Sequence, residues 1–130
     1  MPNARIVFDG GSRGNGTRHS YGYGSYQLTL DGVAEIVRLE FGTGVTNNEA
    51  EYDTLISALT VLSQRADASS IVLQIWGDSQ LVVSQVNGVW KAKEPRLIER
   101  RDQVKALLRS FASAKISHHL RAESVKVLGH

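Results

Sequence analysis

Short apolar runs separated by turn residues dominate the first third of the chain. Residues 5–9 (RIVFD) are followed by Gly10-Gly11, which predicts a buried strand that ends at this glycine pair. Residues 21–30 alternate weakly between apolar and polar positions, and residues 33–41 resume the pattern after Asp31-Gly32. An Asp-Gly pair between two such runs is a strong hairpin signal. The pattern therefore predicts a meander of three antiparallel strands.

Helical and strand-like patterns alternate after the meander. Thr46-Asn47-Asn48 supplies side chains that favour a helix start. The apolar residues at helical spacing that follow are Tyr52, Leu55, Ile56, Leu59 and Leu62. Residues 70–78 (SIVLQIWGD) then predict a strand, and residues 80–86 predict a short helix that ends at Asn87-Gly88.

The last third of the chain predicts three further elements. They are a long helix from Pro95 to about Ala114, a strand over residues 115–120, and a final helical turn that Ser124 caps. Strands separated by helices should pair in parallel with right-handed crossovers. The pattern therefore predicts an α/β fold whose mixed five-stranded sheet combines a three-strand antiparallel meander with two parallel strands and is flanked by helices.

Composition and charge narrow the classes of function. The chain has 130 residues, which predicts a single domain over residues 1–130. It has 0 cysteines, which excludes a disulfide framework, a thiolate zinc site and a cysteine nucleophile. The formal net charge of +2 means that any nucleic-acid site must be local. No signal-peptide pattern or membrane-spanning apolar run is present, so we expect a cytoplasmic protein with no membrane partner. We also expect the protein to act as a monomer.

Two acidic residues occupy equivalent places in the predicted sheet. Asp9 ends the first predicted strand and Asp78 ends the fourth. If these strands are parallel neighbours, both acids lie where open α/β sheets bind ligands. Gly10-Gly11 would allow another backbone to approach closely. The alternative is that each aspartate only caps a turn or the next helix.

A third acid could come from the predicted helix, where Glu49 and Glu51 are both available. Glu51 shares a helix face with Leu55 and Leu59, so it should point towards the sheet, whereas Glu49 should point towards water. An ionised carboxylate on a core-facing stripe is costly unless it is paired or binds a metal. The alternative for Glu51 is a capping-box contact with Asn48. Clustered carboxylates favour a hard divalent cation such as Mg²⁺.

Several segments together make the chain resemble a type 1 ribonuclease H along nearly its whole length. They are FDGGSRGNG (residues 8–16), TNNEAEY (residues 46–52), GDSQLVVSQVNG (residues 77–88) and Trp90-Lys91. The resemblance implies a ribonuclease H-like fold. It also implies endonucleolytic hydrolysis of the RNA strand of RNA/DNA hybrids, assisted by Mg²⁺ or Mn²⁺ in a two-metal site.

The resemblance also implies roles for individual residues. It makes Asp9, Glu51 and Asp78 catalytic metal ligands, and it implies substrate contacts to the minor groove of the hybrid by Gly11, Asn15, Asn47, Asn48 and Gln80. Thr46 resembles part of a pocket for a DNA phosphate, and Trp90 resembles a residue that stacks on a DNA sugar. Amides suit the reading of 2′-hydroxyls because they both donate and accept. The alternatives are that the asparagines are only caps and turn residues and that Trp90 is a rim residue of the core.

The chain departs from the family pattern at the fourth metal ligand, which is normally an Asp inside the last helix. An ungapped match puts Leu128 at that position. We predict that His130 is the fourth catalytic and metal-binding residue, because imidazole can replace a carboxylate as ligand or proton acceptor. Glu123 is the other candidate, and a solvated chain end is the alternative for His130.

A second departure lies after Trp90. Some relatives insert a basic, aromatic-rich protrusion that binds the hybrid there, whereas this chain has only Lys91-Ala92-Lys93-Glu94-Pro95. We therefore expect few phosphate contacts and a shallow dependence of binding on salt. Two other hypotheses remain open on the same residues. The protein could be a hybrid-binding module with lost or weak catalysis, or another nuclease on this fold.

Overall fold

The computed structural model of the protein describes residues 2–129, and its elements follow the predicted order. The strands are β1 (Asn3–Arg13), β2 (Tyr21–Leu30), β3 (Val33–Thr43), β4 (Val72–Gly77) and β5 (Ser113–His118). The α-helices are α1 (Asn47–Ser63), α2 (Gln80–Val86), α3 (Pro95–Leu108) and α4 (Arg121–Leu128). A short 3₁₀ turn, Ala68–Ser70, precedes β4.

The five strands form one sheet in the order β3-β2-β1-β4-β5. The pairs β3-β2 and β2-β1 are antiparallel, and the pairs β1-β4 and β4-β5 are parallel, which confirms the predicted mixed sheet. The hairpin between β2 and β3 turns at Asp31 and Gly32, with φ of 49° and 84°. Left-handed backbone at both central residues is typical of a tight hairpin turn, and it explains the Asp-Gly pair.

The first strand is longer than predicted. It does not end at Gly10-Gly11, because its antiparallel pairing with β2 continues to the pair Arg13 and Tyr21. Asp9 therefore lies inside β1. Its parallel pairing with β4 does end early, at Phe8 and Gly77. Asp9 and Asp78 are thus the first residues beyond the paired part of β1 and β4, which preserves the expected neighbourhood of the two acids.

The last elements also differ from their predicted bounds. The helix α3 ends at Leu108, not near Ala114, because Ser113 and Ala114 pair with β4 as the start of β5. Ser124 does not cap a helix. It lies inside α4, buried, with its Oγ 2.8 Å from Nε2 of His119.

The core lies between the sheet and α1. The helical stripe predicted from the sequence is buried, with Tyr52, Leu55, Leu59 and Leu62 each 0% exposed. Phe8 on β1 and Ile75 on β4 belong to the same cluster. The α3 helix packs against α1. None of the helices within residues 2–129 is both long enough and apolar enough to cross a membrane.

Candidate active site

Three carboxylates converge where the pairing of β1 and β4 ends. Asp9 comes from β1, Glu51 from α1, and Asp78 from the residue that follows β4. One ligand oxygen of each lies within 4.8 Å of the others, and this is the one such group of potential metal ligands within residues 2–129. The structure therefore brings together the three acids that the sequence singled out.

The backbone of Gly10 holds the Glu51 side chain. Because β1 has left the ladder with β4 at this point, the N–H of Gly10 can donate to Oε2 of Glu51, at 3.1 Å. A Cβ at Gly10 would lie 2.6 Å from the carbonyl carbon of Ala50, so only glycine lets α1 approach this closely. The expectation that the glycine pair admits another backbone is confirmed at Gly10.

The electrostatics of the cluster favour a bound cation. Burial, followed by the charges of Asp9 and Asp78, raises the pKa of Glu51 to about 9, although the Gly10 hydrogen bond and Arg121 act in the opposite direction. A divalent ion would remove this repulsion and let all three carboxylates ionise. Three oxygen donors suit the hard cations Mg²⁺ and Mn²⁺, so the donor set fits such an ion.

Arg121, on the first turn of α4, also contacts the cluster. Its Nη1 donates to Oδ2 of Asp9 at 3.4 Å and to Oδ2 of Asp78 at 3.3 Å. Sequence reasoning missed this contact. The partners are 112 and 43 residues away along the chain, and no local pattern could reveal such a pairing.

A polar cavity of about 450 Å³ is lined by two of the three carboxylates, Asp9 and Glu51, and by Arg121. Its other lining residues include Gly11, Ser12, Tyr23, Asn47, Asn48 and Ser79. The Asn47 side chain accepts a hydrogen bond from the Ser12 N–H, and Oδ1 of Asn15 accepts from the Asn47 N–H at 2.9 Å. These contacts join the end of β1 to the start of α1, so Ser12 and Asn15 help to shape the cavity wall.

The remaining predicted substrate contacts lie around this cavity rather than in its lining. Thr46 is the N-cap of α1, and its hydroxyl accepts from the Glu49 N–H at 3.2 Å. Gln80 is exposed at the first position of α2, and Trp90 is 45% exposed beyond the end of that helix. Gly11, by contrast, lines the cavity, and a Cβ at this position would lie 2.7 Å from the Tyr23 hydroxyl.

The prediction that Glu49 faces water is wrong. Glu49 is 4% exposed, and its Oε2 lies 3.3 Å from Arg100 and 3.6 Å from Arg96, both on α3. The helix α3 covers the side of α1 that the sequence pattern assigned to solvent. Glu49 also completes a capping box with Thr46, so the capping alternative considered for Glu51 belongs to Glu49 instead.

Among the described residues, the structure brings no fourth ligand side chain to the three acids. Leu128 is buried, at 1% exposed, and offers no ligand atom. Glu123 is exposed, lies 3.6 Å from Lys126, and is not part of the carboxylate cluster. His130 lies outside the described residues, so its role as fourth ligand stays a prediction.

Comparisons of sequence find relatives of this chain among ribonucleases. A family described as reverse transcriptase-like matches residues 29–127. Ribonuclease HI of Halobacterium salinarum is 37% identical over 119 residues, covering 88% of this chain and 55% of that protein. A bifunctional protein of Mycobacterium tuberculosis is 38% identical over 107 residues, covering 82% of this chain and 28% of that protein. The chain thus spans about half of the first of these relatives and less of the second.

Solved structures give the same result for the fold. The crystal structure of ribonuclease H1 from Halobacterium salinarum has a TM-score of 0.82 at 32% identity, over 97% of this chain and 93% of that one. LC11 ribonuclease H1 in complex with an RNA/DNA hybrid has a TM-score of 0.77 at 28% identity, over 95% of this chain and 89% of that one. With the family match over residues 29–127 and this agreement in fold, the chain belongs to the ribonuclease H family.

Proposed function

We propose that this protein is an endoribonuclease that hydrolyses the RNA strand of RNA/DNA hybrids with the help of Mg²⁺ or Mn²⁺. The observation that carries the proposal is the convergence of Asp9, Glu51 and Asp78, with ligand oxygens within 4.8 Å of one another, beneath a polar cavity. The ribonuclease H family is metal-dependent, and a relative of known structure binds an RNA/DNA hybrid. Both facts support this reaction and this substrate.

The three carboxylates are the proposed metal ligands, and a two-metal site is the proposed arrangement. When bound, divalent ions would activate a water molecule and stabilise the leaving oxygen of the phosphodiester. Asp9 and Asp78 supply oxygens from the point where the pairing of β1 with β4 ends, and the Gly10 N–H donates to Glu51 and holds its carboxylate beside them. His130 is the proposed fourth ligand. If neither His130 nor Glu123 serves, metal affinity or product release should suffer, and activity should prefer Mn²⁺.

The residues around the cavity are the proposed contacts to the hybrid. Amide side chains at Asn47 and Asn48 line the cavity and can exchange hydrogen bonds with 2′-hydroxyls. Gly11, Asn15 and Gln80 would complete the contact to the minor groove. We assign Thr46 to a DNA phosphate and Trp90 to a DNA sugar. The whole chain of residues 1–130 is proposed to act as a single-domain monomer.

Cleavage of a labelled hybrid by the purified protein tests the proposal. With Mg²⁺ or Mn²⁺ we expect a ladder of internal cuts in the RNA strand and intact duplex DNA. Asp9→Asn should abolish cleavage because it removes a ligand charge. The matched control is Asp67→Asn, at an exposed acid that pairs with Arg65, and it should cut normally. No cleavage with either metal would overturn the proposal, and end-trimmed products would indicate an exonuclease.

A hybrid-binding module with lost or weak catalysis is the second candidate. The buried Leu128 at the fourth ligand position favours it, because that side chain cannot coordinate a metal. This alternative predicts that the protein binds a fluorescent hybrid but yields no cut product with Mg²⁺ or Mn²⁺. Binding without product would therefore select this candidate over the nuclease.

A further inference from the structure

We propose that Arg121 is an internal counter-ion of the carboxylate cluster, and that it must leave Asp9 and Asp78 before a divalent ion binds there. Metal binding is then an exchange of one cation for another. The inference rests on the proposed metal site, and it adds that this chain's own guanidinium sets how tightly the site holds its ion.

The Arg121 guanidinium stands against the two aspartates that would hold the ion. A single nitrogen, Nη1 of Arg121, reaches one oxygen of Asp9 and one of Asp78, at 3.4 and 3.3 Å. With Arg121 in place, the side chains of Asp9 and Asp78 are only 6% and 8% exposed. A divalent ion on the same carboxylates would meet a positive charge a few ångströms away, where like charges repel strongly.

The contact between Arg121 and the two aspartates is easily broken. The Arg121 side chain is 66% exposed, and both of its hydrogen bonds are longer than the usual length for a charged pair. An exposed ion pair of this kind contributes little net free energy. The guanidinium therefore compensates the repulsion among the acids without forming a permanent bond to them.

The Arg121 side chain also has room to move. It lines the cavity over the carboxylates and also a neighbouring cleft of about 680 Å³, so its side chain stands at the wall between the two. The second cleft contains Glu40, whose carboxylate offers another anionic partner. Rotation of the side chain from one space to the other would free the cluster without moving α4.

Isothermal titration of the apoprotein with Mn²⁺ and with Mg²⁺, in the absence of nucleic acid, tests the exchange. Arg121→Gln should bind each ion on the order of tenfold more tightly than the unaltered protein. The matched control is Arg13→Gln, which removes the same charge from the 680 Å³ cleft, where Arg13 lies over the Tyr23 ring. It should change affinity about twofold or less, because it acts only through solvent.

Thermal unfolding gives a second readout that does not depend on activity. In EDTA, the melting temperature of Arg121→Gln should be lower than that of the unaltered protein. Addition of Mg²⁺ should raise the melting temperature of this variant by more than it raises that of the unaltered protein. Arg121→Lys keeps the charge and should give intermediate values. Equal metal affinity in Arg121→Gln and the unaltered protein would overturn the inference and leave the metal site standing. No metal binding by any of these proteins would overturn the metal site itself, and the inference with it.

Discussion

Glu49 and Glu51 lie two positions apart on α1, and their carboxylates have opposite surroundings. Glu49 is buried against Arg100 and Arg96, so its charge is compensated. Glu51 is buried against two other acids, and burial together with their charges raises its pKa to about 9. One glutamate therefore joins two helices, whereas the other is held at a cost that a bound cation can offset.

A pair of isosteric substitutions should separate these two roles. The pKa of Glu51 is raised from 4.5 to about 9, so the folded metal-free protein keeps a proton that the unfolded chain loses. The free energy of unfolding should therefore fall as the pH rises from about 4.5 to about 9. Glu51→Gln should remove that fall. At pH 8 in EDTA, the free energy of unfolding of this variant should be ~2 kcal/mol higher than that of the unaltered protein.

Glu49→Gln should act in the other direction. It weakens the ion pairs with α3 and should lower the free energy of unfolding by ~1 kcal/mol at pH 7. Urea denaturation at pH 5, 7 and 9 measures both variants. An unchanged pH dependence in Glu51→Gln would contradict the account of that residue.

Glu51 lies beside Asp9 and Asp78, on the face of α1 that the sequence predicted, because a period of 3.6 residues fixes which side chains share a stripe. The prediction for Glu49 from the same periodicity was wrong. The apolar pattern of α1 assigned its other face to solvent. It contains no information about Arg96 and Arg100 of α3, which contact Glu49 on that face. Contacts between helices that are distant in sequence therefore cannot be predicted from the hydrophobic pattern of one helix.

At the scale of elements, the junction of β1 with α1 depends on two adjacent glycines that differ in what they face. A Cβ at Gly10 would meet backbone atoms of Ala50 and Glu51 at 2.6 to 2.7 Å. A Cβ at Gly11 would meet the Tyr23 hydroxyl at 2.7 Å, at the far end of a side chain that can rotate. A side chain at position 10 would therefore require β1 and α1 to move apart. A side chain at position 11 would require only the Tyr23 side chain to move.

Alanine at each glycine should therefore have unequal effects. Gly10→Ala should lower the free energy of unfolding by roughly 3 kcal/mol, because backbone must shift to admit the methyl group. Gly11→Ala is the matched control and should cost about 1 kcal/mol or less, since alanine also favours a strand over glycine. Urea denaturation of both variants checks this, and equal losses would contradict the difference in surroundings.

The order of the elements followed from the sequence, but several of their ends did not. The apolar runs and the Asp31-Gly32 turn predicted every strand. The end of β1 was wrong because it is set by the pairing with β2, and the start of β5 was wrong because it is set by the pairing with β4. Strand limits are a property of the ladder that two segments form, and one segment alone does not contain them.

For the whole molecule, the charge is small and much of it is already paired. The formal net charge is +2, and the arginines at positions 65, 100, 101 and 121 each contact an acid. The segment Lys91–Pro95 adds only two lysines beside Trp90. Binding of a hybrid should consequently rely on a few phosphates and on contacts in the minor groove.

The salt dependence of hybrid binding measures how much of the affinity comes from phosphate contacts. With Asp9→Asn, which should bind without cutting, the logarithm of the affinity for a labelled hybrid should fall with the logarithm of salt with a slope no steeper than about −3. Fluorescence anisotropy from low to moderate salt gives the slope. A slope near −6 would mean a broad phosphate interface that the paired arginines do not predict. Trp90→Ala should weaken binding with the slope unchanged.

The topology and the three acids could be predicted because each leaves a mark in a short stretch of sequence. Arg121 left none, since its partners are separated from it by 43 and 112 residues. Its position against Asp9 and Asp78 exists only once β1, β4 and α4 have come together. Long-range pairing of this kind requires the folded molecule.

The hydrogen bond from Gly10 to Glu51 has a consequence for how this protein can change over generations. A main-chain donor is lost only when the backbone moves, and any residue larger than glycine at position 10 would move it against Ala50 and Glu51. Lineages that keep this site should therefore retain the pair Asp9-Gly10 more faithfully than Gly11 or the polar residues around it. Searches for remote descendants should give that pair more weight than the isolated aspartate.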